Sequence, residues 1–243
     1  MKKLLITSNS HISRRFLRKN FLHNIDSEIS EQIYSLNASE DFFVFLVNDS
    51  SDINNYLGRI LKELSVDLVF SMDYALSLVP NIESLKVLKI NEFSILPPTM
   101  VFWDKSNILN FEYRIQNSEE IIGSVEDGKN TILASHVKKV SNWKVKDWLN
   151  QKLHISLLDR YGSDVAGICN EFNVDLILCR AILVKRSKFN VITNIIDWSA
   201  HYSYLDLLKN PHRILPYMVL YYRKNLLANK FNQYFENFIT YKS

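Results

Sequence analysis

Short apolar runs alternate with amphipathic stretches through the first hundred residues, and this alternation narrows the fold more than any other feature of the chain. Leu4-Leu5-Ile6 is followed by a polar turn, Thr7 to Ser10, and then Phe16, Leu17, Phe21 and Ile25 recur at helical spacing over Arg14 to Ile25. Phe42 to Val47 is a continuous aromatic and branched run, ended by Asn48-Asp49-Ser50-Ser51-Asp52, and it has the character of a strand buried on both faces. Ile53, Leu57, Ile60, Leu61 and Leu64 repeat like the inner stripe of a helix. Asp67 to Met72 and Val87 to Ile90 are the next strand candidates. Strands and helices taking turns in this way predict a mostly parallel sheet with covering helices.

The second half is less regular. Glu126 to Asn130 reads as a turn, Thr131 to Val140 as a strand that carries His136, Leu153 to Ser156 as a short strand and Ser163 to Phe172 as a helix. Asp175 to Val184 is apolar enough for either a helix or a strand, and its periodicity does not decide between them. From Pro211 to Tyr241, Ile214, Leu215, Met218, Tyr221, Tyr222, Leu226, Phe231, Phe235 and Phe238 fall at near-helical intervals, which predicts one or two helices laid on the sheet.

Composition excludes several classes of protein. With 243 residues, 47% of them hydrophobic and 12% aromatic, the chain has material for a sizeable core and is not a disordered segment. Lys and Arg number 29 against 26 Asp and Glu, a net charge of +3 that does not mark a nucleic-acid binder. Cys169 and Cys179 cannot build a disulfide framework; in apolar surroundings they read as small buried hydrophobes in a reducing compartment. No signal-peptide core and no transmembrane run is present, so the expectation is a cytoplasmic protein. The five glycines never form a phosphate-binding loop, the six histidines never form a zinc motif, and there is no nucleophile elbow.

One block carries a resemblance. Val66 to Pro80, containing Tyr74 and closing on Leu78-Val79-Pro80, is followed by Ile90-Asn91-Glu92-Phe93-Ser94-Ile95-Leu96-Pro97-Pro98. This strand, proline-closed loop and strand ending in asparagine resembles the folate-dependent formyltransferase family. The resemblance implies a Rossmann-like α/β domain over residues 1–190 with a C-terminal helical extension over 191–243. It implies a transferase that moves a formyl group from formyl-tetrahydrofolate to a primary amine of an amino sugar or small biosynthetic intermediate. Asn91 would hold the tetrahedral oxyanion, and Tyr74, Leu78, Val79, Pro80 and Leu96 would flank the folate.

The family's histidine position falls on Phe93 here and its aspartate position on Lys144. His136 is the nearest histidine to manage the amine proton. Two alternatives accommodate these departures. One is an inactive relative that binds a small molecule or a protein through the same crevice. The other is a nucleotide-sugar or ATP-dependent α/β enzyme whose phosphates would meet Asp104, Lys105 and the cluster Arg180, Lys185, Arg186 and Lys188. The tail from Pro211 to Ser243, with five cations and Glu236 as its one acid, places a basic, aromatic helix at the end of the chain.

Overall fold

The computed structural model describes residues 1–20, 22–24, 32–36, 39–94, 108–110, 125–128, 131–135, 143–185 and 204–241. Twelve strands among them join in one mixed sheet. Its centre is β5 (Leu68–Ser77), a ten-residue strand buried along its whole length. β1 (Lys3–Ser8) pairs in parallel with β4 (Ser39–Val47) on one side and with the first half of β5 on the other. β2 (Leu22–Asn24) and β3 (Ile33–Leu36) extend the sheet beyond β4 in antiparallel pairs.

The opposite edge of β5 carries β12 (Asp175–Val184), parallel and in register from Asp175 against Leu68. The segment with ambiguous periodicity is therefore a strand, because a central strand is buried on both faces and shows no alternation. β6 (Val87–Lys89) runs antiparallel to β12, and β9 (Glu126–Asp127) follows β6. β7 (Glu92–Ser94), β8 (Ile108–Asn110), β10 (Ile132–Ser135) and β11 (Ile155–Asp159) form the far wing, which joins β5 through β11.

Helices cover both faces, as the alternation predicts. On one face, α1 (His11–Lys19), α4 (Trp143–Leu153) and the long α7 (Ile214–Thr240) pack on Leu5, Phe70, Met72, Tyr74, Ile177 and Leu183. On the other, α2 (Ser50–Asp52) runs through a π turn (Ile53–Leu57) into α3 (Gly58–Glu63), and α5 (Gly162–Glu171) lies beside them. These cover Leu4, Ile6, Val69, Ala75, Leu178 and Ile182. The two helices of the tail are α6 (Tyr204–Lys209) and α7, joined by a 3-10 turn (Pro211–Arg213). The α/β architecture with a C-terminal helix is thus established.

Local chemistry sets the element ends. α1 starts at His11, earlier than its apolar spacing indicates, because Ser10 caps it: Ser10 Oγ accepts the Ser13 N–H and Ser13 Oγ accepts the Ser10 N–H. It stops at Lys19, and Leu22 belongs to β2. Lys3, at the start of β1, is only 7% exposed. Its ammonium donates to the Phe238, Ile239 and Tyr241 carbonyls, the unsatisfied acceptors at the end of α7. Burial lowers its pKa, opposed by Asp41. Edge-to-face contacts of Phe235 with Phe16 and of Phe238 with Phe42 seat the same end of α7, each ring contributing about 1.5–3 kcal/mol by burial.

Candidate functional site

Two strands reach the same edge of β5 from opposite directions. β1 pairs in parallel with Leu68–Ser71, and β11 pairs antiparallel with Leu76 and Ser77. Their carboxyl ends therefore face each other across Met72–Ala75, with the ends of β4 and β10 beside them. Such a reversal of strand direction is where an open α/β sheet holds its ligand.

Asp73 stands at the middle of that stretch. It is 4% exposed and alternates onto the face shared by Val69 and Ala75. Its Oδ1 accepts Ser8 Oγ–H at 2.9 Å, from the end of β1, and the Tyr74 N–H at 2.8 Å. Among the described residues no hydrogen bond of ordinary geometry reaches its Oδ2 and no cation is in ion-pair contact with it, while the Tyr161 hydroxyl and the Arg180 guanidinium lie near enough for their charges to be felt. Aspartate is disfavoured inside strands, so a buried one in the central strand is held by these partners.

A second carboxylate lies close by in a different condition. Asp159, the last residue of β11, meets Arg180 of β12, and both side chains are essentially fully buried. Arg180 Nε donates to Asp159 Oδ2 at 2.5 Å, and its Nη1 donates to the carbonyls of Ser71 (3.2 Å) and Cys179 (2.7 Å). Asp159 also accepts Ser135 Oγ–H at 2.5 Å and the Gly162 N–H, at 2.9 Å to Oδ2. Ser135 and Ser163 exchange reciprocal bonds from backbone N–H to hydroxyl. Glycine is required at position 162: a Cβ there would lie 2.5 Å from Arg180 Nη2 and still closer to the Asp159 carboxylate. Burial pushes the Asp159 carboxyl up and the guanidinium opposes it; Arg180 is kept charged by Asp159. The pair holds β11, β12 and the start of α5 together. The Asp159 acceptors are occupied, so the pair is scaffold, while Arg180 Nη2 is buried without a hydrogen-bond partner.

Tyr161 closes the cluster. It is fully buried, its ring lies 5.6 Å from the Arg180 guanidinium, and its hydroxyl makes no hydrogen bond among the described residues. Burial and then the Asp73 carboxylate raise its pKa well above the ordinary range, so the phenol stays neutral. At the rim, Arg160 bridges the two sets of strand ends by donating to the Asn48 carbonyl at 2.6 Å. Asn9 is tied to the same loop through the Val47 carbonyl. The end of β12 adds only Leu183 and Val184, both buried and apolar.

Asp164, in the first turn of α5, is pushed up to about 6 by burial and then by Asp159. A carboxyl raised from an ordinary unfolded value near 3.9 supports the fold fully below that value, and the support is lost as pH rises to about 6. Asp164→Asn is therefore expected to raise stability at pH 7 by about 1–2 kcal/mol and to leave it unchanged at pH 4. Urea midpoints at the two pH values check this.

The residues singled out by the formyltransferase resemblance are not gathered here. Tyr74 is a strand residue, buried, its ring stacked on Phe231 of α7 at 4.9 Å. Leu78 is buried with it, Val79 is half-buried and Pro80 is exposed. Tyr74 lies in line with Ala181 of β12, which pairs with Val87 of β6; Asn91 is four residues further along and two strands away. The ends around Tyr74 and Asn91 do not open side by side. Leu96, His136, Asp104, Lys105, Arg186 and Lys188 lie outside the described residues. Arg180, expected to meet phosphates, is committed to Asp159.

No protein-family model and no curated protein matches the sequence. Solved structures do match the fold. Futalosine hydrolase of Helicobacter pylori superposes with a TM-score of 0.68 at 12% identity, over 98% of this chain and 97% of that one. A 5'-methylthioadenosine/S-adenosylhomocysteine nucleosidase of the same organism gives 0.68 at 13% identity, over 98% and 97%. The Campylobacter jejuni nucleosidase gives 0.63 at 12%, over 94% and 99%. These matches overturn the formyltransferase reading, and with it formyl transfer, the formyl-tetrahydrofolate cofactor, the inactive-relative reading and the nucleotide-sugar or ATP alternative. The likeness around Tyr74 and Asn91 is one of strand and turn composition, not of place in the sheet. From the central strand to the C-terminal helix, the chain has the fold of the nucleosidases.

Proposed function

We propose that this chain hydrolyses the N-glycosidic bond of a nucleoside held where the ends of β1 and β11 meet, with Asp73 as the acting carboxylate. The observation that carries the reading is Asp73 itself: a buried carboxylate at the reversal of strand direction, anchored through Oδ1 and with no bond to Oδ2 from the described residues. The fold supports it, since the matched structures are named for cleavage of nucleosides.

In the reaction, water adds to the anomeric carbon of the sugar and the bond to the base nitrogen breaks. The bonding pair leaves with the base, and water's second proton passes to it. Such cleavage goes through a cationic, oxocarbenium-like sugar. A carboxylate beside it stabilises the positive charge and accepts a proton from the attacking water. The Ser8 hydroxyl and the Tyr74 N–H fix the orientation of Asp73, and the neutral Tyr161 phenol offers a proton donor in the same cluster. The substrate class that fits is a small nucleoside.

The test is chromatography of purine nucleosides, 5'-thio-substituted ones included, after incubation with the purified chain. Free base appearing in proportion to enzyme is the expected result. A nucleoside that binds without release of base, or none that binds, contradicts the proposal.

A further inference from the structure

Two arginines are fixed on the polar rim beside Asp73. Asn9, one residue beyond β1, donates through Nδ2 to Asn48 Oδ1 at 2.8 Å, one residue beyond β4. Asn9 Oδ1 in turn accepts Arg14 Nε–H at 2.9 Å, and the Asn48 carbonyl accepts Arg160 Nη2–H at 2.6 Å. Two asparagines from different strand ends therefore orient two guanidiniums on one rim. The same segment holds Asp73: Ser8 Oγ–H donates to its carboxylate, and Ser13 Oγ–H of α1 donates to the Ser8 carbonyl at 2.8 Å.

Each guanidinium spends one N–H on this framework and keeps the rest. Among the described residues Arg14 bonds only through Nε and Arg160 only through Nη2, and neither is in ion-pair contact with a carboxylate. Asp49 lies near enough to feel the Arg160 charge, but its Oδ1 is taken by the Ser51 N–H and hydroxyl. α1 adds to the positive field, because it contains Arg14, Arg15, Arg18 and Lys19 and no acid. Of these four, Lys19 is the one that meets a described carboxylate, Glu236. The N-terminal end of α1, two residues past Asn9, contributes the positive pole of the helix.

A guanidinium with free N–H groups in one plane suits an oxyanion. Position decides which part of a nucleoside carries it. The bond to be cleaved sits at buried Asp73, whereas Arg14 is exposed and Arg160 half-buried. The 5' substituent stands on the one exocyclic arm of the sugar, so it can reach the rim while the anomeric carbon stays at the carboxylate. We infer that Arg14 and Arg160 hold a 5'-phosphate, and that nucleoside 5'-monophosphates are preferred over neutral nucleosides. This names the substrate of the hydrolysis proposed for Asp73 and rests on that reading. A phosphate monoester brings nearly two negative charges and three acceptor oxygens, enough to serve both guanidiniums. It anchors the sugar and takes no part in bond breaking: water adds to the anomeric carbon, the base leaves with the bonding pair and a proton, and ribose 5-phosphate remains.

Isothermal titration with ribose 5-phosphate, which has no N-glycosidic bond, separates recognition from cleavage. The full chain is expected to bind it on the order of 10²-fold more tightly than ribose, and Arg14→Gln and Arg160→Gln each to shrink that preference about tenfold. Circular dichroism checks the fold of both variants, and exposed Arg14 carries the test if Arg160→Gln does not fold. In kinetics, kcat/KM for adenosine 5'-monophosphate exceeds that for adenosine by a similar factor. Equal affinity for ribose and ribose 5-phosphate overturns the inference. So does a preference unchanged in the folded variants, or inorganic phosphate that binds as tightly as the sugar phosphate. Equal release of adenine from adenosine and its 5'-monophosphate also overturns it and leaves the hydrolysis reading standing. Arginine-dependent binding of ribose 5-phosphate with no release of base upholds the recognition and contradicts the hydrolysis.

Discussion

Arg180→Met is expected to lower the stability of the chain by about 3–5 kcal/mol, which in a domain of this size lowers Tm by roughly 6–20 °C. The cause is not the loss of one attraction. Asp159 is left fully buried without its cation and must take up a proton to stay there, with the Gly162 N–H and Ser135 hydroxyl as its remaining partners, and the carbonyls of Ser71 and Cys179 lose the donor that Arg180 gives them. Two further results separate this cause from a mere change of volume. The deficit is smaller at pH 4 than at pH 8, because without the guanidinium the native Asp159 stays protonated and the unfolded chain alone ionises as pH rises. The double variant Asp159→Leu, Arg180→Met recovers most of the loss, since apolar replacement of a complete buried pair removes the uncompensated charge. Thermal melts of the three variants at both pH values check this. A single variant within 1 kcal/mol of wild type would show that the pair is not the scaffold of the β11–β12–α5 corner.

Asp73→Asn is expected to reduce the rate of nucleoside cleavage by about 10²–10⁴-fold, the contribution of a positioned acid or base, with Tm changed by only a few degrees. The amide keeps an acceptor for Ser8 Oγ–H and the Tyr74 N–H, so the strand end stays in place while the negative charge and the proton-accepting oxygen are gone. Ser8→Ala leaves the charge and releases its anchor; it lowers turnover less than Asp73→Asn. Steady-state kinetics on all three proteins, with melts as the fold control, give the comparison. Equal turnover in wild type and Asp73→Asn would remove Asp73 from the chemistry.

The sheet and its covering helices are legible in the sequence because apolar periodicity reports burial directly. Phe42–Val47 and the stripe from Ile53 to Leu61 are both in the structure where the pattern puts them, and Cys169 and Cys179 are the buried hydrophobes they resemble. The same logic hid the site. Ser71, Asp73 and Ser77 interrupt the apolar pattern, which by itself ends the strand at Met72 and puts Tyr74 in a proline-closed loop. In the structure these polar side chains lie inside β5, and partners distant in sequence hold two of them: Ser8 lies 65 residues from Asp73, and Arg180 109 residues from Ser71. No local window contains such pairs.

A signal for them existed nonetheless. Arg180 is the one charge inside the apolar run Leu176–Val184, and Asp73 the one charge between Leu68 and Leu78. A charge at a position that must be buried has to be compensated, so lone charges in predicted central strands are candidates for a site or its scaffold. Asn91 stands out in the sequence as the end of the resembling strand-loop-strand block, and His136 only as the nearest histidine. Tyr161 is singled out by its burial, which only the assembled structure reveals.

The most direct measurement is the crystal structure of the chain soaked with a non-hydrolysable nucleoside analogue. The account predicts the sugar in the gap between the ends of β1 and β11, with a ring or hydroxyl atom within about 3.2 Å of the Asp73 carboxylate. Density for the analogue anywhere else, or an empty gap at saturating analogue, would contradict it.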